Sequence, residues 1–276
     1  MKSLNYFNNT WLDEKNLKIS ALDLSVMRGF GIFDYLRTYN NKPFRLNDHI
    51  DRFFNSAHAL GIKIRLTKSQ LKSIILKGIK KNNFKETNIR IVASGGVSED
   101  IITPSKPTIM VLFSLALKYP KQHYLKGVKV ITYLHKREFA NTKSLNYLTG
   151  VMAIQQAKRK NAIEAIYIDD KKKIYEGTTS NFFIVIKNKV ITPKKDILSG
   201  VTRQVVLEII RKLKIRIIEK SICFNDLKQS DEAFLTSTNK EIMPVVKVNN
   251  LVIGNGKAGS ITKKIMDEFK ILTKST

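Results

Sequence analysis

The chain has 276 residues, 43% of them hydrophobic and 26% charged, and its 49 lysines and arginines against 23 acids give a formal net charge of +26. This is the make-up of a folded globular protein with room for one large domain or two smaller ones. It excludes a disulfide scaffold, because Cys223 stands alone, and a membrane-spanning helix, because the longest apolar run, Ile109 to Leu117 broken by Ser114, is too short.

A reducing, cytoplasmic setting is expected from the single cysteine. The first residues, M-K-S-L-N-Y-F-N-N-T-W, lack a signal-peptide core, so no leader is expected. The lysines come as scattered pairs and one triplet: Lys80-Lys81, Lys171 to Lys173, Lys194-Lys195 and Lys263-Lys264. They do not alternate with aromatics, and no zinc-finger, helix-turn-helix or RNP pattern accompanies them. They read as solvated surface rather than a nucleic-acid footprint, and their field favours anionic small molecules.

In chain order, residues 1–117 read as an α+β unit. Tyr6 to Asn8, Phe33 to Thr38, Ile89 to Ala93 and Thr108 to Ala116 carry strand signals. Leu46 to Leu60 is a predicted helix, capped by Asn47 or Asp48 and ended by Gly61; Lys68 to Lys80 is a second, capped by Thr67. Residues 118–127, K-Y-P-K-Q-H-Y-L-K-G, are polar and contain Pro120 and Gly127, which predicts a linker. Residues 128–276 form a second unit. Its predicted strands are Val128 to Tyr133, Ala165 to Ile168, Asn181 to Ile186 and Val190-Ile191; its predicted helices are Tyr147 to Lys160, Val201 to Leu213 and Ser260 to Leu272.

Four segments of the second unit carry chemistry. Lys143, just before a predicted helix, is surrounded by Thr142, Ser144, Asn146 and Tyr147. A lysine in such company is either one more surface cation or an amine set up to attack a carbonyl, which requires loss of its proton near neutral pH. In Y-E-G-T-T-S-N, Glu176 and Gly177 read as a turn entering an apolar strand. Its glutamate is either exposed or aimed at a protonated heterocyclic nitrogen. In L-S-G-V-T-R, the backbone N–H groups of Val201 and Thr202 open a helix, and with the Thr202 hydroxyl they make either an ordinary cap or a phosphate cup. Ser237 and Thr238, in T-S-T-N-K-E-I-M-P-V, offer a second cup.

The succession H-I-D-R, K-S-L-N-Y, E-G-T-T-S-N, L-S-G-V-T-R and T-S-T-N-K-E-I-M-P-V resembles the fold-type IV, or class IV, pyridoxal-phosphate (PLP) aminotransferases from about Phe30 to Glu268. The resemblance implies a two-domain α+β fold with the cofactor between the domains, a homodimer, and amino acids and 2-oxo acids as substrates. No metal, nucleic acid or membrane is implied. It implies that Lys143 holds the cofactor covalently and that Arg52 binds its phosphate. Tyr147 then contacts the phenolic oxygen, Glu176 pairs with the pyridine nitrogen and Leu198 stacks on the ring. Val201, Thr202 and Thr238, with Ser237 beside them, complete the phosphate site.

Substrate class is less directly written. The familiar D-amino-acid aminotransferases carry an arginine and a histidine in the loop that here reads G-G-V-S-E-D-I-I-T-P, where neither occurs. Branched-chain enzymes carry Tyr-x-Arg where this chain has Asn88 and Arg90. The segment R-G-F-G-I-F-D-Y is similar to a less common group of D-amino-acid transaminases, in which paired arginines, one from the partner subunit, bind the α-carboxylate. Arg28 and Arg90 fit that pair, and Phe33 joins them as a substrate-site residue. A D-amino-acid transaminase is therefore expected, with a branched-chain L-aminotransferase as the alternative, an aminodeoxychorismate lyase behind it, and a basic binding protein on a retired transaminase fold last.

Overall fold

The computed structural model describes residues 3–275; the outer limits expected for the two domains, at Met1 and Thr276, lie outside them. The chain divides into two compact units. One comprises the residues up to Leu117 together with Thr142–Tyr147, the other Lys118–Asn141 and Leu148–Ser275.

In the first unit, β1 (Leu4–Phe7), β2 (Thr10–Asp13), α1 (Leu24–Arg28), β3 (Gly31–Tyr39), β4 (Lys42–Pro43), α2 (Leu46–Ala59), α3 (Lys68–Asn82), β5 (Thr87–Ser94) and β6 (Ile109–Leu115) follow in order. The strands form one antiparallel sheet in the order β2-β1-β6-β5-β3-β4. Side chains alternate across a strand. Ile32 and Leu36 of β3, Ile89 and Ile91 of β5, and Val111 and Phe113 of β6 share a core with Phe53 of α2 and Ile75 of α3. Phe33, Tyr35 and Arg90 consequently belong to the opposite face. Thr67 caps α3 in a reciprocal capping box with Gln70. The cap expected for α2 at Asn47 or Asp48 is not used: the helix opens at Leu46, as predicted, after Arg45 in the left-handed region at φ 52° with no side-chain cap.

The second unit contains α4 (Lys121–Lys126), β7 (Val128–Leu134), α5 (Leu148–Arg159), β8 (Glu164–Ile168), β9 (Lys173–Gly177), β10 (Asn181–Ile186), β11 (Lys189–Thr192), α6 (Val201–Lys212), β12 (Arg216–Glu219), β13 (Ile222–Cys223), α7 (Phe224–Lys228), β14 (Glu232–Ser237), β15 (Glu241–Val248), β16 (Leu251–Val252) and α8 (Ser260–Lys274). Six strands close on themselves in the order β10-β14-β15-β7-β8-β9, because Glu176 of β9 pairs with Asn181 of β10. Alternation again divides the side chains. Val130, Ile166 and Ile174 enter the central core, whereas their neighbours Ile131, Ala165, Tyr167 and Tyr175 pack with Ala153 and Ala157 of α5. No helix among the described residues is long and apolar enough to cross a membrane.

Two expectations about organisation change. Lys118–Gly127 is not a bare linker: it holds α4, and Tyr119 and Tyr124 pack against the second unit's core, so these two aromatics outweigh the polar composition. Thr142–Tyr147 groups with the first unit because it extends the edge of β3. The Phe33 N–H donates to the Lys143 carbonyl at 2.9 Å, the Leu145 N–H donates to the Gly31 carbonyl at 2.9 Å, and Ile32 bridges Ser144.

Candidate active site

In the first unit the Lys143 amine lies 4.5 Å from the centre of the Phe33 ring. Tyr147 meets the same ring edge-on, with centroids 5.6 Å apart. The Lys143 backbone N–H donates to the Ser56 hydroxyl on α2 at 3.2 Å. Backbone bonds thus pin the lysine from both sides, while its amine rests on an aromatic face. Tyr147, expected to open the following helix, instead precedes it, since α5 begins at Leu148.

One turn of α2 before Ser56 stands Arg52, whose Nε and Nη2 donate to the Asp34 carboxylate at 2.7 and 2.9 Å. His49 Nδ1 meets the same carboxylate at 2.7 Å. Asp34 is fully buried. Burial by itself raises a carboxyl's pKa, but the charges and hydrogen bonds of Arg52 and His49 outweigh it and hold Asp34 well below the ordinary range. His49 is pushed down chiefly by burial, against the pull of Asp34. The arginine is therefore held by an ionised acid in a fixed two-point orientation.

Arg90 stands on an otherwise apolar strand but does not enter the core. Alternation places Ile89 and Ile91 in the core and turns Arg90 out, 5.7 Å over the Tyr35 ring, on the sheet face that carries Phe33. Arg28 is also exposed, at the end of α1, which is capped by the buried Asp23. Asp23 in turn accepts from Ser94 Oγ and Thr108 Oγ1. This anchors α1 at the Ser94 end of β5, four residues from Arg90, or roughly 13 Å along a strand.

The second unit carries the rest. Glu176 lies within β9, one residue before its end, rather than forming a turn; the turn is Thr178 to Ser180, closed by Gly177 N–H to the Ser180 carbonyl at 2.7 Å. The buried Glu176 carboxylate accepts from Arg137 Nη1 at 2.9 Å and from the Leu198 N–H at 3.0 Å, with Asn181 Nδ2 at 3.4 Å. Leu198, half-buried, is held from its other side by Asn181 Nδ2 donating to its carbonyl at 2.9 Å. In α6 the first intrahelical bond runs from Gln204 to Gly200, so the N–H groups of Val201 and Thr202 precede it, and Gly200 has no side chain to cap them. A Cβ on Gly200 would come within 2.0 Å of Asn181 Oδ1, so only glycine lets this helix start approach the strand. Ser237 and Thr238 follow at the end of β14, where Ser237 Oγ accepts from the Lys240 N–H at 3.3 Å.

Sequence reasoning missed Asp34, Arg137, Asn181 and Ser56. A lone acid in the apolar strand G-I-F-D-Y-L was the available signal for Asp34; Arg137, in the polar run H-K-R-E, offered none.

The chain matches the family profile Amino-transferase class IV over residues 31–248. It is 36% identical, over 96% of its length and 94% of the relative's, to a Methanocaldococcus jannaschii protein named "Putative branched-chain-amino-acid aminotransferase". It is 30% identical, over 95% and 93%, to the D-alanine aminotransferase of Listeria monocytogenes. A branched-chain amino acid aminotransferase from T.th., solved with pyridoxamine 5'-phosphate, shares the fold with a TM-score of 0.93 at 24% identity, over 100% of this chain and 95% of that one. The matched span takes in every element that presents the lysine, the glutamate and the hydroxyl turns, and on that ground the chain belongs to the class IV aminotransferases, which use PLP.

Proposed function

We propose that the protein is a PLP-dependent transaminase acting on D-amino acids and 2-oxo acids such as 2-oxoglutarate or pyruvate. The donor set fits the cofactor. A buried carboxylate with a fixed arginine beside it suits a protonated ring nitrogen, and an uncapped helix start with Thr202, Ser237 and Thr238 suits a phosphate. When bound, PLP supplies the electron sink that lets an amino acid lose its α-proton. Lys143 would hold the cofactor and would take up and return that proton at its Nζ. Phe33 shields the amine from water. Arg52, oriented by Asp34, holds the phosphate with Val201, Thr202, Ser237 and Thr238; Tyr147 meets the phenolic oxygen and Leu198 covers the ring.

The observation that carries the D-reading is Arg90 exposed on the Phe33 face, while loop 95–104 offers no cation. That loop's Asp100 is occupied by Ser98, Ile102 and Thr103 of its own turn. A desolvated arginine–carboxylate contact contributes a few kcal/mol. Arg90→Ala is therefore expected to raise the apparent substrate constant roughly ten- to a few hundredfold with the cofactor still bound. The branched-chain L-reading is favoured by the 36% relative, the strand arginine being common to both readings. Half-reactions with D-alanine, D-glutamate and L-leucine separate the two; faster reaction of L-leucine than of either D-substrate overturns the D-reading.

A further inference from the structure

Glu164, at the start of β8, is completely buried and shares the inward face of Ile166. Its Oε1 accepts from Thr178 Oγ1 at 2.9 Å, Thr179 N at 2.6 Å and Thr179 Oγ1 at 3.0 Å. Its Oε2 accepts from Ser180 Oγ at 2.9 Å and meets Lys240 Nζ at 3.0 Å. Lys240 is also buried, its Nζ donating to Thr179 Oγ1 at 2.6 Å and lying 5.8 Å from the Tyr119 ring centre. Burial opposes both charges, yet each holds the other ionised: Glu164 is drawn below the usual carboxylate range and Lys240 above the usual amine range.

A buried ion pair is a poor way to gain stability, since apolar residues of equal volume serve as well or better. What this pair does is join two turns. One, Thr178 to Ser180, begins two residues after Glu176; the other, Thr238 to Lys240, follows Ser237 and contains Thr238. The approach is close enough that a Cβ on Gly177 would lie 2.9 Å from Glu164 Oε1. We propose that Glu164 and Lys240 are a positioning pair that sets the spacing between the Glu176 turn and the Ser237–Thr238 turn, so that the ring nitrogen and the phosphate of the cofactor are gripped in one register. The proposal rests on the cofactor roles given to those residues above.

The test compares binding of PLP and of pyridoxal, which lacks the phosphate, to the full-length protein stripped of cofactor. A ligand gripped at one end is insensitive to the spacing, whereas one gripped at both ends is not. Removing both charges together, as Glu164→Gln with Lys240→Met, leaves no unpaired ion. It is expected to lower the preference for PLP over pyridoxal at least about tenfold. Thr179→Val keeps the ion pair but removes the hydroxyl that touches both of its members, and is expected to act in the same direction; it decides the matter if the double variant does not fold. A wild-type preference in every variant that folds overturns the proposal alone, provided that Ser237→Ala with Thr238→Val lowers it. A preference unchanged by this last variant overturns the phosphate role of Ser237 and Thr238, and the proposal with it.

Discussion

Glu176 illustrates how much a single residue depends on neighbours distant in sequence. Its carboxylate is contacted by Arg137, 39 residues upstream, and by the Leu198 N–H, 22 residues downstream. Together they fix the orientation of the carboxylate, which in the role proposed for Glu176 would hold a proton on the ring nitrogen. Glu176→Gln preserves the shape and most hydrogen bonds but removes the charge. Such a variant is expected to bind PLP and unfold normally while the half-reaction with an amino donor slows about 10²- to 10³-fold. Stopped-flow absorbance checks this, and a half-reaction at the wild-type rate excludes the role. Lys143 is placed differently: its backbone is held by the Phe33 N–H and the Ser56 hydroxyl, and its amine rests on the Phe33 ring.

Among the elements, α2 does the most. His49, Arg52 and Ser56, spaced three and four residues apart, fall on one face of the helix, and each meets β3 or the Lys143 segment. The buried Asp34 is the common anchor on the strand side for His49 and Arg52. This has a consequence for pH. His49 titrates below its ordinary value when folded, so as pH falls the unfolded chain takes up this proton first. The stability that His49 contributes as a neutral ring is full above about pH 6.5 and declines below it. Asp34, depressed by its partners, adds a second decline only below the ordinary carboxylate range. His49→Gln retains a donor toward Asp34 but cannot titrate. Its urea midpoint is expected to change less between pH 7 and 5 than that of the wild type; equal slopes in the two proteins contradict the assignment.

For the molecule as a whole, the positions of Arg28 and Arg90 bear on assembly. Leu22, Val26 and Met27 stand exposed next to Arg28, an apolar border unusual for a solvated arginine. We propose a homodimer in which Arg28 of one chain completes the carboxylate site of the other, since Arg28 ends α1, which is anchored at the Ser94 end of β5, whereas Arg90 lies four residues away along that strand. Mixing Arg28→Ala protein with Lys143→Ala protein under subunit exchange should then restore turnover that neither has alone. Mixed dimers contain one site with both residues intact. No gain on mixing, with exchange verified by mass spectrometry, removes Arg28 from the site. The +26 charge belongs to this scale too: it draws anionic 2-oxo acids and a phosphorylated cofactor toward the protein without specifying where they bind.

The sequence by itself determined the ordered motifs, and with them the family, the cofactor, the α+β class and most helices, because helix periods, caps and apolar strands are local patterns. Thr67 with Gln70, the Asn181–Ile186 strand and the helix opening at Val201 are where local chemistry predicts them. Only the tertiary structure decided that Thr142–Tyr147 belongs with the first unit, that β9 and β10 close the ring of strands at Glu176 and Asn181, and that Arg90 faces away from the core. It alone brought Asp34 to Arg52, Arg137 to Glu176 and Glu164 to Lys240. The reason is physical. A charged side chain reads the same in sequence whether it is solvated or buried, and its partner is chosen by strand pairing and burial across tens of residues, where no local period records it.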